Sequence, residues 1–128
     1  MTHPLIARLT DDMGWPALNQ HDAVADFVNR PGAHCLFIPG DPAKNLETTD
    51  AAVILPEIVQ CFQGKFDCAV IGDEIEYQVR EDAGVFKTPL LVFFRDGQQV
   101  GTIPKVRDWD DYLARVTHIL SLVPEGAD

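Results

Sequence analysis

Leu90 to Phe94 is an unbroken apolar run, entered through Thr88-Pro89 and followed by Arg95 and then Asp96-Gly97. A short apolar run between such punctuating residues reads as a strand buried in a sheet. Asp-Gly favours a two-residue hairpin turn, because both central positions of the preferred turn need a positive φ. The QVGTI segment beyond it therefore returns alongside as an antiparallel edge.

The rest of the chain supplies partners for that hairpin. His34 to Ile38 is continuously apolar rather than alternating, as expected of a central strand covered on both faces. Phe66 to Ile71 is another buried-strand candidate, and Ile6 to Leu9 is a short first one. Between them lie helical patterns. Ala23, Val24, Phe27 and Val28 form one face of a helix stopped by Pro31 and Gly32. Asp50 to Phe62 reads as a second helix, capped by Asp50 or a nearby threonine, with Ile54, Leu55, Ile58, Cys61 and Phe62 on its inner side. Pro56 should kink it. Asp73 and Glu76 have the spacing of an N-terminal cap for a short helix reaching Ala83 and ended by Gly84. In the last helix Trp109, Tyr112, Leu113, Val116, Ile119, Leu120 and Val123 recur at helical spacing. Pro39 to Thr49, rich in turn-forming residues, is a loop.

Helices alternating with apolar strands imply an α/β fold: a central, largely parallel sheet covered on two faces, with the Asp-Gly pair adding the antiparallel edge. A chain of 128 residues suits one domain. Its core spans about residues 22–122, with 1–21 as an N-terminal extension and 124–128 as a polar tail. No apolar run is long enough to cross a bilayer, so no membrane insertion is expected. The opening residues lack a basic segment followed by a long apolar core, which favours a cytoplasmic location.

Twenty acidic residues face ten basic ones, a formal charge of −10. Such a surface disfavours nucleic acid and favours a basic partner. The three cysteines, Cys35, Cys61 and Cys68, form no CxxC pair, and each sits in an apolar context that suits core packing. No compact Cys/His group offers a zinc site, and no cofactor is expected. His118 has no evident nucleophile or carboxylate partner and reads as structural or surface-exposed. Trp15 suits a core role or a binding anchor equally.

The order of elements, ending in GVFKTPLLVFFRDGQQVG, resembles the thioredoxin fold, a central mixed sheet flanked by helices. The resemblance implies that Gly84 ends the short helix, that Pro89 is the cis-proline and that Asp96-Gly97 is the hairpin turn. At the helix entrance, where thioredoxins carry a cysteine pair, this chain has GDPAKNLETTD, residues 40–50. Asn45 and Thr48 stand nearest the two thiol positions, and neither can carry out thiol–disulfide exchange.

HPLIARLTDDMGWPAL, GDPAKNLETTDAAVILPEI, KTPLLVFFRDGQQVGTI and RDWDDYLARV further resemble hydrogenase-expression proteins of the HyaE/HupG kind. That resemblance implies a redox-inactive accessory protein or chaperone in maturation of uptake nickel–iron hydrogenase. Its partner would be the twin-arginine signal region of the small-subunit precursor, with other hydrogenase accessory proteins as further candidates. The thioredoxin-like loop implies backbone pairing of an extended peptide at Thr88, beside Pro89. Asp41, Glu47 and Asp50 would then meet arginine side chains. The alternatives are a thiol-dependent oxidoreductase using one of the three cysteines, and a scaffold that does not recognise signal peptides.

Overall fold

The computed structural model describes residues 3–122. The elements are α1 (Pro4–Asp11), β1 (Ala17–Leu18), α2 (His21–Val28), β2 (Ala33–Ile38), α3 (Glu47–Cys61), β3 (Phe66–Ile71), α4 (Glu76–Ala83), β4 (Leu90–Arg95), β5 (Gln98–Pro104) and α5 (Trp109–Ser121). A single 3-10 turn, Asp73–Ile75, leads into α4. The strands form one sheet in the order β1-β3-β2-β4-β5. β1, β3 and β2 run parallel, while β4 is antiparallel to both β2 and β5. The antiparallel part is thus wider than the hairpin alone. β4 starts beside the end of β2, with Leu90 opposite Ile38.

Alternation along the strands divides the core. Cys35, Phe37, Cys68, Val70, Leu91 and Phe93 face α1, α3 and α5. Leu36, Ile38, Ala69, Ile71, Leu90 and Val92 face the shorter helices α2 and α4. The hairpin forms as the Asp-Gly pair dictates: Asp96 has φ 53° and Gly97 φ 86°. Asp96 fixes the turn to the residue before β2 by accepting the Gly32 N–H through Oδ1 at 2.9 Å.

Several expectations need correction. Ile6–Leu9 is helical, not a strand. Pro4 opens α1, His3 Nδ1 accepts the Leu5 N–H at 3.1 Å, and Ile6 and Leu9 bury at helical spacing. The first strand is instead the two-residue β1. α3 begins at Glu47, so Asp50 lies in its first turn rather than capping it. The Glu47 N–H is taken by Asn45 Oδ1 at 3.0 Å. α3 continues through Pro56 to Cys61. Its buried stripe is Thr48, Ala51, Ala52, Leu55 and Ile58. At 100° per residue Cys61 lies roughly a third of a turn from the centre of that stripe, and it is exposed. Cys35 and Cys68 are buried as expected. Trp109 is partly exposed, at the start of α5, whose buried stripe is Tyr112, Val116 and Ile119. Val123 and the polar tail lie outside the described residues.

Candidate functional site

Three segments converge where β2 and β3 end: the loop after β2, the 3-10 turn with α4, and the approach to β4. They enclose a groove of ≈ 730 Å³. The loop wall is held to the Thr88-Pro89 turn by close packing. Gly40 has φ 80°, and a Cβ there would come within 2.3 Å of Thr88 Oγ1. Asn45 Nδ2 donates to the Thr88 carbonyl at 2.7 Å. The buried Thr48 hydroxyl donates to the Pro39 carbonyl at 2.7 Å. Asn45 and Thr48, the residues nearest the two thiol positions of a thioredoxin, are therefore fasteners here. The Thr88–Pro89 bond is cis.

The groove gathers only part of the anticipated set. Thr88 and Asp41 line it. Asp41 Oδ1 accepts the Ala43 N–H at 2.9 Å, fixing its carboxylate on the rim. The Thr88 carbonyl, part of the backbone expected to pair with a peptide, already accepts from the Asn45 amide. The Thr88 N–H has no hydrogen-bond partner among the described residues. Pro89 is buried, and its carbonyl accepts the Lys105 N–H at 2.7 Å. Glu47 turns the other way, pairing with Lys105 Nζ at 3.4 Å and accepting the Val106 N–H at 3.2 Å. Asp50 is exposed on α3 and does not line the groove.

The opposite wall holds residues that the sequence alone does not single out as a site. Glu76 does not cap α4. It is only 9% exposed and lines the groove with Asp73. Burial pushes its carboxyl above the ordinary glutamate range, Asp73 and Asp41 push the same way, and Arg80 and the Gly40 N–H oppose them. Among the described residues no lysine or arginine pairs with it. Tyr77 and Phe86 are 61% and 48% exposed, with ring centroids 5.7 Å apart. Arg80 Cζ lies 6.0 Å from each ring centroid, and Nη1 donates to the Phe86 carbonyl at 2.9 Å. Arg80 Nε is buried with no hydrogen-bond acceptor among the described residues. The sequence signal for this wall is Tyr77, an aromatic residue set among the charged residues of α4.

A second cavity of ≈ 350 Å³ lies under α1 and shares Gly40, Pro42 and Asp73 with the groove. Trp15 is partly buried and packs against the core, and His118 is exposed on α5. Cys35 and Cys68 are register partners on β2 and β3. Burial, then the contact with Cys35, drives the Cys68 thiol well above its ordinary value, so that thiol is a poor nucleophile. Among the described residues, no group of three or more His, Cys, Asp or Glu side chains is placed to hold a metal ion. Among them, too, no helix is long and apolar enough to cross a membrane. The groove thus offers one backbone donor, the carboxylates of Asp41, Asp73 and Glu76, the cations of Lys44 and Arg80, and the exposed Tyr77 ring.

The family model for hydrogenase-1 expression protein HyaE matches residues 5–112. The hydrogenase expression/formation protein HupG of Rhodobacter capsulatus is 63% identical over 121 residues, covering 94% of this chain and 87% of that protein. The hydrogenase expression/formation protein HoxO of Azotobacter vinelandii is 38% identical over 122 residues, covering 94% and 80%. Among solved structures, a point mutant of the thioredoxin of Halobacterium salinarum superposes with a TM-score of 0.68 at 18% identity, over 85% of this chain and 93% of that one. That likeness establishes the fold alone.

Proposed function

The chain belongs to the HyaE family of hydrogenase-expression proteins, and on that premise we propose that it is a redox-inactive chaperone for uptake nickel–iron hydrogenase. Its ligand is the twin-arginine signal region of the small-subunit precursor. The observation that supports this reading is the groove beside cis-Pro89, where Asn45 and Thr48, neither of them a thiol, fasten the loop to Thr88 and Pro39. An extended peptide pairs its backbone with the free Thr88 N–H beside Pro89. Asp41 meets the peptide's arginines at the rim, and Asp50 adds to the negative field. Glu47, already paired with Lys105, contributes least.

Two effects combine in binding. The net charge of −10 accelerates encounter and weakens with salt, while backbone pairing persists. Calorimetry with the precursor signal peptide tests the reading, using its twin-lysine and twin-glutamine versions as controls. The expected result is binding at low salt that loses strength as salt rises and is lost with twin glutamine. No binding at low salt, or indifference to the arginines, overturns it.

A further inference from the structure

Resting on that reading, we infer that the guanidinium subsite of the groove is built on α4. Glu76 is its floor, the rings of Tyr77 and Phe86 are its walls, and Arg80 is an internal occupant that an arginine of the bound peptide displaces. Three independent observations lead there.

The first is Glu76. A carboxylate removed from water is unfavourable unless a cation answers it. Glu76 is 9% exposed and opens onto the groove, yet no cation within the described residues pairs with it. Asp41 and Asp73 line the same groove and add negative potential, partly offset by Lys44 and Arg80, which line it too without reaching salt-bridge distance of Glu76. Arg80 acts on it only from beyond salt-bridge distance, which leaves room for a cation in direct contact.

The second is the aromatic pair. Tyr77, which lines the groove, and Phe86 beside it leave large apolar rings in water, tilted at 48° to each other. Rings so placed attract a cation whose centre comes within about 6 Å of their faces. A planar guanidinium stacks there while its donors reach a carboxylate; an ammonium has no plane to stack.

The third is Arg80. Helical spacing puts it one turn beyond Glu76, on the same side of α4. Its guanidinium lies beside both rings and is served at one nitrogen only, Nη1, which donates to the Phe86 carbonyl at 2.9 Å. Cζ is 6.0 Å from each centroid, at the limit of useful attraction, and Nε is buried without an acceptor among the described residues. It stays beyond salt-bridge distance of Glu76. Arg80 therefore fills an arginine site imperfectly, tethered by its own backbone. A free arginine side chain entering along the groove has no such tether, and it meets Glu76 and Tyr77, which both line it. Arg80 then swings into solvent and recovers hydration at Nε.

The test is peptide titration of full-length protein variants, with urea unfolding checking that each is folded. Arg80→Ala should bind the twin-arginine peptide about three- to tenfold more tightly than the wild type, because the occupant is gone. Glu76→Gln should weaken it about tenfold or more. Tyr77→Ala should erode the preference for twin arginine over twin lysine. In wild-type protein the Arg80 Nε–H resonance should move on adding the twin-arginine peptide and stay in place with twin glutamine. Weaker binding by a folded Arg80→Ala variant, or an Arg80 resonance indifferent to the peptide, overturns the displacement. If wild-type protein binds but Glu76→Gln and Tyr77→Ala bind equally well, the subsite is elsewhere and the signal-peptide reading stands. If wild-type protein does not bind, both fall.

Discussion

The two walls of the groove are built on opposite terms. The loop wall commits its polar groups to the protein itself: Asn45 to Thr88, Thr48 to Pro39, with Gly40 pressed against the Thr88 side chain. The α4 wall leaves more of its groups open: among the described residues Glu76 has no salt-bridge partner and Arg80 Nε no acceptor, and the rings of Tyr77 and Phe86 are exposed. One wall is made to stay in place and the other to be completed. Substitutions on the two walls should therefore change stability in opposite directions.

The largest effect is expected at the tightest contact. Gly40→Ala places a Cβ against Thr88 at a positive φ, and should destabilise the fold by about 2–4 kcal/mol in urea unfolding. A variant of unchanged stability would mean that the loop wall is not fixed at Gly40. Thr48→Ala comes next. It strands the buried Pro39 carbonyl and should cost about 1–3 kcal/mol, while Thr48→Ser, which keeps the hydroxyl, restores most of it. Equal losses in the alanine and serine variants would attribute the effect to packing rather than to the hydrogen bond.

The smallest effect has the opposite sign. Because the Glu76 carboxyl titrates above the ordinary glutamate range in the folded protein, the native state holds the extra proton between those two values. Stability therefore falls as pH rises through that window. Glu76→Gln removes the titration, so the variant should be the more stable protein at neutral pH. Its advantage should narrow as the solution is acidified towards the ordinary glutamate range. Chemical unfolding at a series of pH values checks this, and a variant less stable than wild type at neutral pH would make Glu76 a structural residue like Thr48. A substitution that stabilises the fold while weakening peptide binding is the pattern expected of a residue kept for function.

The asymmetry of the walls also separates what the residues reveal from what they conceal. Long periodic segments are legible: the α5 stripe, the two central strands and the Asp-Gly hairpin follow from local pattern alone. So does the lack of thiols in the loop wall, since the absence of cysteine at Asn45 and Thr48 is visible in the chain. α1 is easily misread because Ile6-Ala7-Arg8-Leu9 is too short to separate the two periods, although Pro4 just before it is a helix-start signal. The apolar residues of α3 suggest an inner face set too far round, which would place Cys61 in the core. The α4 wall is hidden for a different reason. Glu76 looks like any acidic residue of a charged helix until the Gly40 loop closes over it, and burial by a distant segment leaves no local pattern. For the same reason nothing near Glu47 in the chain shows its carboxylate turning towards Lys105, which arrives only after β5.

The margins of the sheet bear on how such a binder stays selective. An open strand edge is a row of unused donors and acceptors on which any extended chain, including another copy, can assemble. Here one margin, β1, is two residues long. The other, β5, carries a register irregularity opposite Phe93 and Phe94 and ends at Pro104, which has no N–H to offer. Both margins are poor templates for self-assembly. Backbone recruitment is thereby confined to the short turn at Thr88, where a visiting chain must also satisfy the side chains around it. A chaperone of the kind proposed needs such restraint at its edges.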